Sequence, residues 1–484
     1  MNHIRYLFIF ISLMLAINYV SAAPQITIVS PVDAVYDTTK VFLNVTSNET
    51  VTFFMKLAKN KEEMIVAENT TVLNDYLYFK QGNHKFTIWG KNNRGETNAS
   101  VSFSSSHSNP VNVTSCGFLY SSNTEYVLAN NISTESYECV HIVDVTNIKF
   151  NLNQNTVNAG YLRGIRINWA SNIEIYNGTI SGSPVNDHWY PVILDLEGTN
   201  LRFNNLNING FMGIYTDDMQ NSIFENVVVN SSIGFFFWIL NDVSFVNSTF
   251  VWNGLPPSYA FQPFADHSDL VLEEFEMKNF EYDFYLEGAY SDFFFRNTHF
   301  NLSKVYYPDW STTTRFYRQH KVIINVSDQL NKTGSGVIEI KDTISKNSSK
   351  FKEKDNPTGN LLLATDERGI AETWLTERLF VAKTSSPVVV EDVDFSDYNI
   401  TAKTWAGEDT TVQLSLASNT TISVPIHISI PVALPECTIP QLLDLNNDDT
   451  INMQDAVIIL RYISGLPVTS LGSKECAGIS LNPF

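Results

Sequence analysis

Asn172-Ile173-Glu174-Ile175-Tyr176-Asn177 is a short apolar-alternating strand with an asparagine at each end, and the chain keeps returning to it. Asn200-Leu201-Arg202-Phe203-Asn204-Asn205, Asn221-Ser222-Ile223-Phe224-Glu225-Asn226 and Asp242-Val243-Ser244-Phe245-Val246-Asn247 repeat it at intervals of roughly 20–28 residues. Asn147-Ile148-Lys149-Phe150 begins the series, Asp269-Leu270-Val271-Leu272-Glu273-Glu274 weakens it, and Asp292-Phe293-Phe294-Phe295-Arg296-Asn297 restores it. A period of this size makes each copy one coil of a solenoid. Two short strands per coil, alternating inward and outward around an Asn-bearing corner, describe a parallel β-helix whose equivalent positions stack about 4.8 Å apart. Asparagine suits the corner because it tolerates the left-handed backbone region and its amide can bond the amide one coil above. Inward stacking then accounts for Phe235-Phe236-Phe237-Trp238 and Phe293-Phe294-Phe295 as core; a ligand-binding aromatic cluster is the sharper alternative.

The rest of the composition agrees with an all-β, exported chain. At 484 residues it is too long for one ordinary domain. Its 44% hydrophobic and 13% aromatic content excludes intrinsic disorder. Against 51 Asp and Glu stand 31 Lys and Arg, a formal charge of −20, so the protein's own field repels phosphate and disfavours nucleic acid or anionic lipid as partner. Arg5, the apolar run Leu7 to Ala16 and the small residues Val20-Ser21-Ala22 read as a signal peptide over 1–22, with no transmembrane anchor left in the mature chain. Export also accounts for the many Asn-x-Ser/Thr sequons, Asn44, Asn98, Asn177, Asn247 and Asn399 among them, and so for a glycoprotein. Four cysteines allow three pairings; each of Cys116 with Cys139 and Cys437 with Cys476 brackets one short segment, which favours local structural disulfides in an oxidising compartment.

On either side of the repeat the pattern is antiparallel. Residues 24–106 hold short strands such as Ile26 to Ser30 and Lys85 to Trp89, with turns at Gly82-Asn83 and Arg94-Gly95, the material of a β-sandwich. Residues 305–432 hold Lys321 to Val326, Gly336 to Ile340, Tyr398 to Ala402 and Thr411 to Leu416, with a turn at Thr365-Asp366-Glu367-Arg368-Gly369. Through Ser30-Pro31, Gly82-Asn83-His84 and Asn93-Arg94-Gly95 the first segment resembles the immunoglobulin-like modules of prokaryotic surface proteins. The third resembles carboxypeptidase-regulatory-like sandwiches, which place a Thr-Asp-x-x-Gly turn before a central strand. Cys116-Gly117, Tyr126-Val127-Leu128, Cys139-Val140-His141-Ile142 and Asn147-Ile148 resemble the opening of the right-handed β-helix of periplasmic copper-site and pectate-lyase-like surface proteins. That resemblance implies a β-helix over 116–304 whose first coil is stapled by a disulfide, capping an open sheet end.

At the other terminus Asp444, Asn446, Asp448, Asn452 and Asp455 occupy positions 1, 3, 5, 9 and 12 of a twelve-residue loop, with Thr450 offering its carbonyl. Six to eight hard oxygens around one ion is what calcium requires. Ala456 to Ser464 follows as an apolar helix. The loop resembles a dockerin calcium repeat, although Asp449 stands at the sharp-turn position and no second repeat follows. A small α-helical calcium module over 437–484, with calcium as cofactor and a cohesin-like protein as partner, is what the resemblance implies. The expected fold is therefore mainly β: a right-handed parallel β-helix between two β-sandwiches, with that module at the end.

Catalysis is harder to read. GxSxG, HExxH and phosphate-loop patterns are absent from the sequence. A lyase needs a Lys or Arg base with calcium; Arg163, Arg166 and Arg202 lie near the strands without an acidic cluster to accompany them. A glycosidase needs two carboxyl groups about 5–5.5 Å apart for retention or 6.5–9.5 Å for inversion. Counting back from the corners aligns Asp144, Glu197, Asp218 and Asp266, with Glu197 and Asp218 on adjacent coils as the catalytic candidates. Asp217, Asp187 and His188 add further acids and a possible base; the plain alternative is that all of them are solvated turn residues. The reading reached is a secreted or cell-surface modular protein. Its β-helix binds a polysaccharide or cell-wall glycan, and its dockerin-like end attaches it to a partner. A polysaccharide lyase or glycoside hydrolase and a structural adhesin or surface-layer component are the rivals.

Overall fold

The computed structural model describes residues 23–56, 63–106, 110–134, 138–160, 163–183, 190–264, 268–286, 291–306, 313–328, 337–342, 360–366, 368–383, 389–395, 397–403 and 410–426. The expected leader, the calcium module with Asp444, Asn446, Asp448, Thr450, Asn452 and Asp455, and Cys437 and Cys476 lie outside them. The described chain is almost entirely strand, with one short 3-10 turn at Leu302–Lys304. No helix among the described residues is long and apolar enough to cross a membrane. Two compact units form: Met1–Gln319 with Arg378–Asp394, and His320–Glu377 with Phe395–Phe484.

The first unit is built on a parallel β-solenoid that begins near residue 111, as the repeat predicts. Each coil begins on a front sheet that includes Glu138–Val143, Arg163–Asn168, Pro191–Leu196, residues 212–218 and residues 233–240. It then crosses a repeat sheet carrying the Asn-flanked segments. A third sheet, Ile132–Ser133 through Thr156–Asn158 and Thr249–Trp252 to Glu276–Lys278, closes the coil. The sequence pattern suggests two strands per coil, and the structure has three. The third was hidden because it follows the Asn corner without a break, so that Ser171–Ser181 is one stretch serving two sheets. Parallel pairing also runs past residue 304: Phe316 lies level with Phe293, and the ladder continues to Gln319.

Register explains the composition of the repeat. Ile148, Ile173 and Leu201 stack level in one inward column, and Phe150, Ile175 and Phe203 in the next, all buried. Phe203, Phe224 and Phe245 lie on consecutive coils with ring centroids 4.5 and 4.4 Å apart and nearly parallel planes. Such pairs add roughly 0.5–1.5 kcal/mol each beyond the area they bury.

The corners carry the asparagines. Asn123, Asn147, Asn172 and Asn200 all have φ near +55°, where an ordinary side chain costs about 1–2 kcal/mol. Their amides form a ladder: Asn147 Nδ2 donates to Asn123 Oδ1 at 2.7 Å, Asn172 to Asn147 at 2.9 Å and Asn200 to Asn172 at 2.9 Å. A second ladder at the far corner includes Asn247 donating to Asn226 at 2.6 Å.

Both ends of the solenoid are covered. Residues 26–105 form antiparallel strands around a core of their own, including Leu43, Phe53, Phe86 and Ile88. Leu77 and Tyr78 of that segment pair in parallel with Phe118 and Leu119, so its strand Glu63–Tyr78 extends the front sheet. The Cys116–Cys139 disulfide joins the first two coils there; closing a loop of that length is worth on the order of 3 kcal/mol in chain-entropy terms. At the other end a hairpin, residues 378–383 against Val389–Asp394, contributes Phe380 and Ala382 to the solenoid core.

The second unit is antiparallel for the most part. Val337–Asp342 lies between Asn360–Ala364 and Asp397–Lys403, and Thr410–Ser415 extends that sheet. Its core joins Ile338, Ile340 and Ile400 to Val322, Ile324 and Val424 of a second pairing. The Asp366 carboxylate accepts hydrogen bonds from the backbone of Arg368 and Ile370, closing the turn at Gly369.

One inward position breaks the apolar rule. Asp195 stands level with Ile167 below and Thr216 above, and is fully buried. Thr216 Oγ1 donates to its Oδ2 at 2.9 Å, while Oδ1 has no hydrogen-bond partner among the described residues. Burial pushes the Asp195 carboxyl up to about 8, the Thr216 and Gly198 hydrogen bonds pull it down, and Asp218 and Asp217 push it further up. The folded chain therefore holds a proton there that the unfolded chain has lost above about pH 4. Its contribution to stability is full below pH 4 and declines as pH rises toward 8. Asp195→Asn is expected to raise the melting temperature at pH 8 by an amount equivalent to about 1–3 kcal/mol and to change it little at pH 4. Melting curves of both proteins at the two pH values decide this.

Candidate functional site

The outer surface of the front sheet differs from the other two. Alternation splits Phe235-Phe236-Phe237-Trp238: Phe235 and Phe237 are fully buried in the core, while Phe236 and Trp238 face out. The expectation that the whole run packs inward is thus corrected, because a strand shows consecutive side chains to opposite faces.

Two outward rows result. In the first, His141, Arg166, Leu194, Tyr215, Phe236 and Gln262 stand level coil upon coil. In the second, the same register aligns Asp217, Trp238 and Phe264. Tyr215 stacks on Phe236 at 5.1 Å with planes 10° apart, Phe236 on Phe264 at 5.9 Å, and Trp238 meets Phe264 at 4.6 Å. Trp238 keeps 38% of its surface exposed and its neighbour Ile239 43%. These four rings form a platform spanning three coils, about 10 Å at the strand spacing.

Acids border the platform. Tyr215 donates its hydroxyl to Asp217 Oδ1 at 2.5 Å. Burial, then the hydrogen bond and charge of Asp217, hold the Tyr215 phenol well above its usual range. Asp218 accepts from Gln220 Nε2 at 3.2 Å. Glu197 sits at a corner with φ +62°. Asp195 is level with Thr216 and Gly198 with Met219, which brings Glu197 level with Asp218 on the next coil. Asp144 belongs to the same column, with Trp169 on the coil between. Asp187, His188 and Asp266 fall outside the described residues. Arg202 is elsewhere, on the repeat sheet, where it pairs with Glu225 at 2.8 Å.

Arg163 and Arg166 belong to a charged cluster the sequence did not announce. Both guanidiniums meet Glu138, and His141 Nδ1 lies 3.1 Å from Glu138 Oε2. Burial alone would raise the Glu138 carboxyl; the hydrogen bond and charge of His141 and the charges of Arg166 and Arg163 overcome it and hold the group far below the carboxylate range. Glu138, Arg163 and Arg166, together with Glu63, Glu68 and Tyr190, line a cavity of about 280 Å³ where the N-terminal strands meet the solenoid. Arg166 also donates to the Ile65 carbonyl at 3.4 Å, and Arg163 lies 5.3 Å from the Tyr190 ring centroid. Charges on residues 138, 141, 163 and 166 converge because the coil period sets them level, and nothing in a linear reading pairs them.

Glu138→Gln is expected to lower stability by about 2–3 kcal/mol, since it removes the buried carboxylate that pairs the partly buried Arg166 and Arg163 guanidiniums. Arg202→Ala, at an exposed pair, should shift it by less than about 1 kcal/mol. Because the Glu138 carboxyl is depressed, its contribution is present at neutral pH and fades as pH falls below about 4. Urea unfolding of the three proteins at pH 7 and pH 3 tests both statements.

No three or more His, Cys, Asp or Glu side chains among the described residues gather in a way that could hold a metal ion. No protein-family profile matches the chain, and no curated protein does. Among solved structures it is similar to the enzymatically active domain of tailspike protein 2 from bacteriophage CBA120, at 12% identity and a TM-score of 0.27 over 63% of this chain and 53% of that one. The full-length tailspike protein 2 of the Escherichia coli O157:H7 bacteriophage matches at the same identity and TM-score, with 47% of its length covered. The chain spans about half the length of these structures.

Proposed function

We propose that the front sheet binds a polysaccharide outside the cell, its sugar rings lying along the Tyr215, Phe236, Trp238 and Phe264 platform. The observation that carries this is a coil-to-coil stack of partly exposed aromatic rings on the outer face, with Trp238 the most open of them, while Tyr215 and Phe236 also pack on the small cluster Phe211, Met212 and Ile233. Contiguous exposed apolar surface on a soluble protein marks an interaction site. The C–H faces of pyranose rings stack on aromatic faces, while Asp217, Asp218 and Glu197 beside the platform accept hydrogen bonds from sugar hydroxyls. Trp238→Ala is expected to weaken binding at least tenfold in affinity electrophoresis against a panel of neutral, acidic and plant polysaccharides, with the fold intact by circular dichroism. Unchanged mobility shifts for Trp238→Ala would sink the proposal.

A hydrolytic reading is favoured by one further observation, the level placement of Glu197 and Asp218. Adjacent coils lie about 4.8 Å apart, near the separation a retaining pair requires. In that reading one carboxyl protonates the departing glycosidic oxygen and the other attacks the anomeric carbon. Release of new reducing ends from one polymer, abolished by Glu197→Gln and by Asp218→Asn in folded protein, supports it; release that survives both excludes this pair.

The same proposal takes the chain to be exported, with the antiparallel segments serving as sandwich-type spacers and residues 437–484 as a calcium-stiffened, dockerin-like attachment module for a cohesin-like partner. Its support is the oxygen spacing Asp444, Asn446, Asp448, Thr450, Asn452 and Asp455. Calcium is expected to protect residues 437–476 from proteolysis and chelation to remove that protection.

A further inference from the structure

The third sheet ends one coil early. Its final strand among the described residues is Glu276–Lys278; on the following coil the level positions His299–Asn301 are not strand, and the 3-10 turn Leu302–Lys304 follows them. A cavity of about 780 Å³ opens there, within the range of small-molecule sites. None of the four platform rings lines it; its wall comes from the third sheet, the corners and the turn after Asn297, with Asp283 from the front sheet.

What stands at its wall follows from register. The front-sheet strands set Gly213, Gly234, Ala260 and Asp283 level on successive coils. At Gly234 a Cβ would fall 2.5 Å from the Ala260 carbonyl oxygen and from the Phe250 ring, so the closed third sheet admits no side chain there. One coil beyond Ala260, where the sheet has ended, the position holds an aspartate instead. Asp283 is 5% exposed and lines the cavity. Its Oδ1 has no hydrogen-bond partner among the described residues, and Lys304 Nζ lies 3.9 Å from it, too far for a direct bond. A gap of that size between an acceptor and a donor fits one bridging oxygen. Burial pushes the Asp283 carboxyl up to about 6, against the pull of Lys304 and His299.

The remaining wall defines the ligand. Asn247, Asn301 and Thr249 supply amide and hydroxyl groups, and Met277 an apolar patch. Glu274, Glu276 and Asp283 face Lys278 and Lys304, so carboxylates outnumber ammonium groups and an anionic ligand is disfavoured. We propose that this cavity is a second carbohydrate site, which takes a neutral hexopyranose unit with one of its hydroxyls bridging Lys304 Nζ and Asp283. The inference rests on the glycan reading for its class of ligand, but on a separate set of residues.

The test uses the full chain with Asp283→Asn, Lys304→Gln and Trp238→Ala variants. Isothermal titration and saturation-transfer NMR are run with glucose, galactose, mannose, N-acetylglucosamine and galacturonic acid, alongside the polysaccharide panel. At least one neutral sugar is expected to bind and galacturonic acid not to. Asp283→Asn and Lys304→Gln should each weaken that binding at least tenfold, while Trp238→Ala leaves it unchanged. Absence of binding by every neutral sugar, preference for galacturonic acid, or unaltered affinity in both cavity variants overturns the inference. Trp238-dependent polymer binding alongside any of those results leaves the platform reading standing; sugar binding lost on Trp238→Ala assigns it to the platform and overturns the cavity site. Circular dichroism of each variant confirms folding, and the near-isosteric Asp283→Asn keeps the test valid if one of the others does not fold.

Discussion

Register between coils is the constraint on which the rest of this molecule depends. In a parallel solenoid each residue meets its equivalent one coil away, so every local choice is repeated or contradicted about 4.8 Å above. The asparagine ladders show the favourable case. A left-handed corner that would be strained for most residues becomes a place where Asn172 donates to Asn147 and accepts from Asn200. The ring stack Phe203, Phe224 and Phe245 shows the same logic in the interior, where equal shapes at equal heights pack without gaps.

Stacking also creates a problem at the ends, because the first and last coils expose unpaired strand edges that invite association. The chain covers them with its own segments. Strand Glu63–Tyr78 pairs onto the first coil, the Cys116–Cys139 bridge fastens that coil to the second, and the buried Glu138 cluster joins them from the outer side. A hairpin ending at Asp394 covers the other end. The N-terminal strands and the hairpin lie outside the Asn-flanked repeat but bring apolar side chains of their own, Leu77 and Phe380 among them, to the ends they cover.

Function has to come from positions that stacking leaves free. Inward positions are committed to the core, and corners to the backbone; the outward rows of the front sheet answer to the core least, although His141, Leu194 and Gln262 in them are themselves covered. That Tyr215, Phe236, Trp238 and Phe264 stand there together is informative for this reason. Asp195 and Asp283 are the reverse case: both are acids at positions that stacking reserves for small or apolar residues. Asp195 is enclosed and hydrogen-bonded to Thr216, whereas Asp283 occurs only where the third sheet has stopped.

The coil, its period, the asparagine corners and the buried phenylalanines could be read from the amino acids alone, because periodicity is a property of the chain and survives without coordinates. The level placement of Glu197 and Asp218 was legible for the same reason: it requires only counting residues from corner to corner. The third strand of each coil was not, since Ser171–Ser181 bends at Asn177 without a turn signal. Nor could the sequence divide the Phe235 to Trp238 run between core and surface, because four apolar residues in a row carry no alternation to read. The Glu138, His141, Arg163 and Arg166 cluster and the Asp283 cavity depend on which residues come level across coils of unequal length, and on where a sheet ends. Period and composition were determined locally; convergence of distant charges, and the space left for a ligand, were decided by tertiary register alone.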